Sequence, residues 1–338
     1  MQKQVITIKE VAEYANVSQA TVSRVINGQN SVKEKNLEKV KKAIAELGYT
    51  PNSAAKALAS NRSNSIGMLV GSLDGPFYGP LMHSAEDTLY KNGLHFIVTS
   101  GQDDEKKEHD ALNFLRSKQV DGAIVHADKV SDDTLKDLAG DFKALVVLNR
   151  KITELKDQCL YLDNELGGYI ATKHLLDNGH KNIACITGPM SKQDARDRLL
   201  GYIRALAEHG VAYDPNLTIE ARFDHDGNFD TASKLLDRDS NITAIFCQND
   251  NIALAVYDVC VQRNLLIGED ISVVGFDNDL LSKHMRPQLT TVGFPLYEMG
   301  KIAGDMIIDQ INGVGKMTSR KLIPEIVIRN SVKNMNEK

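Results

Sequence analysis

With 338 residues, 42% hydrophobic and 25% charged side chains and no Trp, the chain has an ordinary globular composition and the length of two or three domains. No apolar run approaches the ~20 residues a membrane helix needs, and the first residues lead into a capped helix without a signal-peptide core, so a cytoplasmic protein with no membrane partner is expected. The net charge of −5, taken alone, argues against nucleic acid, but its distribution reverses that: residues 1–65 hold ten Lys and Arg against five Asp and Glu, and the remainder holds thirty against forty. A basic head on an acidic body fits a phosphate-binding head and a body that stays off DNA.

The head is read from Thr7 to Asn27, TIKEVAEYANVSQATVSRVIN. Thr7 with Glu10 three residues on is a capping box, and Ile8, Val11, Ala12 and Ala15 give one apolar helical face. Asn16-Val17 breaks the helix, and Ser18 caps a second one that turns Val22, Val25 and Ile26 inward. Gly28 and the polar run to Ser31 end it. Two short helices around a tight turn predict a helix-turn-helix, whose second helix lies in the major groove. A third helix over Glu34–Leu47 carries Leu37, Val40, Ile44 and Leu47 on one face, ended by Gly48 and Pro51. Residues 52–65 (NSAAKALASNRSNS) read either as a flexible linker or as a hinge that becomes helical on DNA, with Leu58 as a minor-groove wedge.

From Ile66 the pattern becomes alternating strands and helices. Apolar runs IGMLV, HFIVTS, GAIVHA, ALVVLN and CLYLD form one set, with helices near 80–92, 104–118 and 131–139. A second set, NIACITG, LTIEAR, ITAIFCQ and ISVVGFD, alternates with helices near 194–209, 228–237 and 250–263. Near-continuous apolar strands predict parallel sheets covered on both faces, hence two doubly wound lobes with a ligand cleft beyond the strands' carboxyl ends. Cys159, Cys185, Cys247 and Cys260 have no CxxC spacing and read as free core thiols.

Enzyme signatures are missing: no GxGxxG after the first strand, no Walker loop, no HExxH and no CxxC, so neither catalysis nor a metal or other cofactor is expected. Gly313-Val314-Gly315-Lys316 lacks phosphate-loop spacing, and Asp224 to Asn228 reads as a turn rather than a calcium loop. Asn149, Arg198, Asn249 and Asp277 lie at strand ends or at the start of the following helix. Individually each suits a cap or an ion pair; together they form a planar hydrogen-bonding set fit for vicinal sugar hydroxyls. Phe77, Tyr78 and Phe229 offer aromatic faces on which a pyranose could stack.

The segment TIKEVAEYANVSQATVSRVING, followed by LGYTPNSAAKALAS, resembles the head and hinge of LacI/GalR-family bacterial transcription regulators. The resemblance continues through GPFYGPLM, GHKNIACITGP, DARDRLLGY, NDNIALAV, DISVVGFDN and RPQLTTV, and is closest to galactose repressors. It implies a small all-α helix-turn-helix DNA-binding head (1–51), a hinge (52–65) and a periplasmic-binding-protein-like α/β body (66–338). The body's lobes are discontinuous, about 66–163 with 292–322 and about 164–291 with 323–338, joined by three crossovers.

By the same resemblance Gln19, Ala20 and Arg24 reach base edges, Thr21, Ser23 and Asn27 contact phosphates, and Thr7, Ser18, Asn52 and Ala55 complete the DNA-facing set around Leu58. Arg198, Asn249 and Asp277 match effector-hydroxyl ligands, Phe229 the stacking aromatic and Asn149 a further polar contact. Gln19-Ala20 stands where the galactose repressors have Val-Ala. The implied function is a homodimeric, sugar-released repressor on a pseudo-palindromic operator. A different effector, such as another sugar or a purine acting as corepressor, is the alternative, and the tail SVKNMNEK lacks the heptads of a tetramerising zipper.

Overall fold

A computed structural model describes residues 6–26, 32–50, 62–223, 227–314 and 320–336. The chain divides into two units, Met1–Asn64 and Ser65–Lys338. Residues 52–61 of the expected hinge, with Asn52, Ala55 and Leu58, and also Asn27 and the Gly28–Ser31 stop, lie outside the described residues, and Ser65 at the hinge's end begins a strand.

The first unit holds α1 (Ile8–Ala15), α2 (Gln19–Ile26) and α3 (Glu34–Leu47). The capping box is formed: the Thr7 N–H donates to Glu10 Oε2 at 2.7 Å while Thr7 Oγ1 accepts from the Glu10 N–H. Asn16 takes a left-handed conformation (φ 54°) and stops α1, and Ser18 Oγ accepts from the Thr21 N–H at 3.2 Å to start α2. Val11, Ala12, Ala15, Val22, Val40 and Ala43 form the buried centre of this unit. Gly48, at φ 63°, closes α3 by donating its N–H to the Ile44 carbonyl.

The second unit contains two six-stranded sheets. The first comprises β1 (Ser65–Val70), β2 (His95–Ser100), β3 (Gly122–Val125), β4 (Ala144–Leu148), β5 (Cys159–Leu162) and β11 (Arg320–Leu322), ordered β2-β1-β3-β4-β5-β11 and parallel throughout. The second comprises β6 (Ile183–Thr187), β7 (Thr218–Glu220), β8 (Ala244–Cys247), β9 (Ser272–Asp277), β10 (Thr290–Gly293) and β12 (Glu325–Val327), ordered β7-β6-β8-β9-β10-β12, with β10 and β12 antiparallel. Both orders reverse after the second strand in the row, so the switch points fall between β1 and β3 and between β6 and β8.

Helices α4 (Tyr78–Lys91), α5 (Glu105–Ser117), α6 (Asp132–Asp141) and α12 (Leu296–Asn312) serve the first sheet. Helices α7 (Asn164–Asp177), α8 (Gln193–Glu208), α9 (Asn228–Arg238), α10 (Asp250–Gln262) and α11 (Leu280–His284) belong with the second. The chain passes between lobes at Asp163, at Phe294-Pro295 and at Ile323-Pro324. The first and third passages are tied to each other: the Asp163 N–H donates to the Leu322 carbonyl at 2.9 Å, and Lys321 Nζ lies 2.7 Å from Asp163.

Two long helices, α7 and α12, have no counterpart in the sequence-level alternation. Helix α7 buries Gly167, Gly168, Ala171, Thr172, Leu175 and Leu176 between the second sheet and α8, so it has no single apolar stripe. Its glycines are dictated by packing. A Cβ on Gly168 would stand 2.0 Å from the Arg198 carbonyl oxygen, and one on Gly201 would stand 2.0 Å from that of Glu165. Helices α7 and α8 therefore cross in near backbone contact, and that crossing sets where Arg198 begins. All four cysteines are free and buried, three on strands and Cys260 on α10. Among the described residues no helix is long and apolar enough to cross a membrane, and no group of acidic, His or Cys side chains has metal-site geometry.

Candidate functional site

The head exposes the face that reads outward. Gln19, Ala20 and Arg24 are exposed on α2, flanked by exposed Thr7 and Ser18 and by half-buried Thr21 and Ser23, while Val22 points into the core. An eight-residue helix with Val22 buried behind and an exposed Gln and Arg in front has what base-edge reading needs. Arg pairs with guanine O6 and N7, and Gln with adenine N6 and N7.

In the second unit the two switch points face each other across a cavity of about 400 Å³. Its first-lobe wall comes from the loop after β1 (Gly71 to Tyr78), Asp103 after β2, His126 and Asp128 after β3, and Asn149 after β4. The second-lobe wall brings Lys192, Asp194 and Arg198 around the start of α8, Phe223, Asn249 and Asn251 at the start of α10, and Asp277 and Asp279 after β9. Left-handed backbone recurs at these strand ends: Asp103 at φ 53°, Asn149 at 52° and Asp277 at 105°. Such strain gathers where side chains must be aimed rather than merely accommodated.

Arg198 is the centre of the second-lobe wall. It is 2% exposed; its Nε donates to Asn164 Oδ1 at 3.0 Å and its Nη1 to the Gln248 carbonyl. The guanidinium lies 3.6 Å over the Phe276 ring and faces Asp277 at 3.8 Å and Asp194 at 4.0 Å. Asn164 in turn donates to Asn149 Oδ1 at 3.1 Å, and Asn149 donates to Asp194 at 3.2 Å, so this network joins both lobes. Burial pushes Asp277 well above the usual carboxylate range, against the pull of Arg198, and its Oδ1 has no hydrogen-bond partner among the described residues. Asn249 caps α10 through the Ile252 N–H at 2.8 Å and donates to the Phe223 carbonyl at 2.7 Å.

Lys192 is the second cation. Its Nζ lies 2.8 Å from Asp103 and 2.9 Å from Asp128, carboxylates that belong to the opposite lobe. Burial opposes its charge, but those carboxylates raise its pKa above the ordinary lysine value; Asp128 is held low, against its burial, by His126 and Lys192. The loop carrying Asp128 is fixed from behind. Glu108, fully buried on α5, accepts the N–H groups of Asp128, Lys129 and Val130 at 3.0, 2.9 and 2.8 Å. Tyr78 places its hydroxyl 3.2 Å from His126 Nδ1, and Gly71 leaves the room, since a Cβ there would meet that hydroxyl at 2.6 Å.

The cavity thus gathers Phe77, Tyr78, Asn149, Arg198, Asn249 and Asp277, but not Phe229. Phe229 sits partly buried in the first turn of α9 and, with Ala232 and Leu236 on its face, packs against the second-lobe core. The aromatic on that wall is Phe223, whose ring lies against Gly188, where any Cβ would be 2.2 Å away. Lys192, Asp103, Asp128, Asp194 and the supporting Asn164 and Gln248 were also missed. Asp103, Asp128 and Gln248 follow strand ends, the same signal that singled out Asn149, so they were findable; the partners of Lys192 were not.

This is the architecture of a ligand-controlled DNA-binding regulator: a helix-turn-helix reader and a two-lobed α/β body with a polar cleft at paired switch points. A model of bacterial regulatory proteins of the lacI family matches residues 7–52, and one of a periplasmic binding protein-like domain matches 172–332. The HTH-type transcriptional repressor PurR of Aliivibrio salmonicida is 36% identical over 330 residues, spanning 96% of this chain and 98% of that protein. The HTH-type transcriptional regulator GalR of Escherichia coli K12 is 35% identical over 302 residues, 89% of this chain and 88% of its own. Among solved structures, the lac repressor dimer bound to operator and the anti-inducer ONPF superposes with a TM-score of 0.87 at 27% identity, covering 98% of this chain and all of that one. The chain belongs to the LacI family and is a DNA-binding transcriptional repressor, not an enzyme.

Proposed function

We propose that this repressor works in the cytoplasm as a homodimer on a pseudo-palindromic operator and is released when a hexose-sized sugar, galactose or a close relative, occupies the interlobe cleft. Twofold protein symmetry requires twofold DNA, with one head per half-site. The observation that carries the sugar reading is Arg198 with Asn249 and Asp277. A donor fork, an amide and a carboxylate with an unsatisfied oxygen converge on one wall, opposite Tyr78 and Phe77. A diol offers each hydroxyl as both donor and acceptor, which matches such a set. Phe223 takes the stacking role expected of Phe229, and Thr7, Ser18, Gln19, Ala20, Thr21, Ser23 and Arg24 serve the DNA.

Sugar bound across both walls changes how the lobes meet, through Asn149–Asp194 and Lys192 with its two carboxylates, and so changes the cost of bringing two heads together on DNA. Coupling of about 1–3 kcal/mol per ligand, roughly 5–150-fold, is the usual scale. The test is operator affinity by fluorescence anisotropy with and without a panel of neutral hexoses and pentoses, for the parent protein and Arg198→Ala. The expected result is release by one sugar from the parent complex and no response in the variant; normal release from Arg198→Ala overturns the assigned role. A purine acting as corepressor is the second reading, favoured by the aromatic pair Tyr78 and Phe223 on opposite walls and by the PurR relative. Purines added to that panel decide between them by the sign of the response.

A further inference from the structure

We infer that the cleft selects its effector by charge, admitting an uncharged or amine-bearing hydroxylated molecule and rejecting phosphorylated or carboxylated ones; this rests on the cleft being the effector site. Among the described residues, Lys192 and Arg198 are the only permanent cations lining the cavity, and each already faces two carboxylates. Lys192 Nζ is within 2.9 Å of both Asp103 and Asp128, and its side chain is 10% exposed. Arg198 donates from Nε to Asn164 and from Nη1 to the Gln248 carbonyl, while Nη1 also faces Asp277 at 3.8 Å and Nη2 faces Asp194 at 4.0 Å.

Asp74 and Asp279 also line the cavity, so six carboxyl groups surround two committed cations. A phosphate entering this space meets net negative charge with no free cation to offset its lost hydration. To capture Lys192 it must also break a pair that bridges the two lobes. A hydroxyl or an ammonium needs neither, and can donate to Asp277, whose Oδ1 no described residue satisfies. Lys192 is therefore a specificity-determining residue through its occupation: Asp103 and Asp128 keep it from acting as an anion site.

The test uses full-length protein and inorganic phosphate, titrated at constant ionic strength against chloride and followed by thermal shift. The head's own anion binding is cancelled by comparison with Lys192→Met. The parent and Lys192→Met curves are expected to superimpose. Asp103→Asn/Asp128→Asn, which frees Lys192, is expected to gain saturable phosphate binding about tenfold tighter than the parent. Asp103→Asn alone, at a half-exposed position, gives the same answer in smaller measure if the double variant folds poorly. Phosphate stabilisation of the parent that Lys192→Met abolishes overturns the inference, and so does the lack of any gain on freeing Lys192. In a second arm, hexoses and hexosamines are compared with the matching hexose 6-phosphates; tighter binding of a phosphate than of its neutral parent also overturns it. Failure of the effector reading itself shows elsewhere, as a sugar that binds without altering operator affinity.

Discussion

The head and the cleft present their working groups in opposite ways. On α2, Gln19, Ala20 and Arg24 stand exposed, and the helix is held by Val22 behind them. In the cleft, Arg198, Asn249 and Asp277 are buried, and the same atoms that face the cavity also hold the lobe together. A surface reader can change its specificity without disturbing its fold. A buried reader cannot, because its groups are desolvated and, Asp277 Oδ1 apart, already paired within the protein.

The sharpest way to break this contrast is Arg198→Ala. Removing it leaves Asp194 and Asp277 without their cation and strips donors from Asn164 and the Gln248 carbonyl, so the body should lose about 3–5 kcal/mol in urea unfolding. Parent-like stability would mean that the cleft, like the head, carries its function on dispensable surface groups. Arg24→Ala is the converse test. Specific operator binding should weaken by about 1–3 kcal/mol, roughly 5–150-fold, with melting of the protein unchanged within about 0.5 kcal/mol. A drop in head stability would show that Arg24 supports the fold.

Gly168→Ala sharpens the comparison from a position that touches no ligand. Its methyl would stand 2.0 Å from the Arg198 carbonyl oxygen, so α7 and α8 must part, at a cost of about 1–3 kcal/mol. Because Arg198 moves with α8, effector affinity should fall along with stability, whereas operator affinity without effector should fall less. Calorimetry and anisotropy on the same preparation separate the two. If effector affinity is untouched, the crossing does not set the Arg198 position.

Asp250 gives the pH signature of a buried site. It accepts from Thr291 Oγ1 at 2.6 Å and the Asp279 N–H at 2.9 Å, and burial raises it to about 8, with Asp279 adding to the effect. The folded body holds that proton while the unfolded chain releases it near pH ~4, so this group's stabilisation is complete at low pH and is lost as pH rises through about 8. Denaturation midpoints of the body should fall between about pH 4 and pH 8, and Asp250→Asn should flatten that slope. An unchanged slope in the variant would assign the pH dependence to other groups.

The same contrast explains what could be read without coordinates. The head was legible almost residue by residue, because its signals are local: Thr7 with Glu10, Asn16 as a stop, Ser18 as a cap and Gly48 as a terminator. Nine strands, β1 to β9, were legible for a related reason, since burial on both faces makes most of them continuous apolar runs, whereas the short β10, β11 and β12 were not. The cleft was legible only where a polar residue punctuates a strand end. Lys192 and its partners are 64 and 89 residues apart, a pairing no local pattern encodes. Phe229 misled because an aromatic at a helix start looks the same whether its helix turns it toward a cavity or, as in α9, toward the core. Helix α7 went unseen because, covered on two sides, it shows no stripe.

Thr7→Ala asks the least of the molecule and isolates the head's side of the comparison. Its hydroxyl and N–H make the reciprocal bonds with Glu10, at an exposed position on the first turn of α1. Those bonds hold Glu10 below the ordinary glutamate pKa, the Thr7 N–H contributing most. Losing the cap should cost about 1 kcal/mol, enough to lower the melting of a three-helix unit with so small a buried centre. The body's transition should stay where it is, and operator binding should weaken by more than the fraction of heads unfolded, since Thr7 also belongs to the DNA-facing set. Operator affinity lost only by that fraction would confine Thr7 to capping α1.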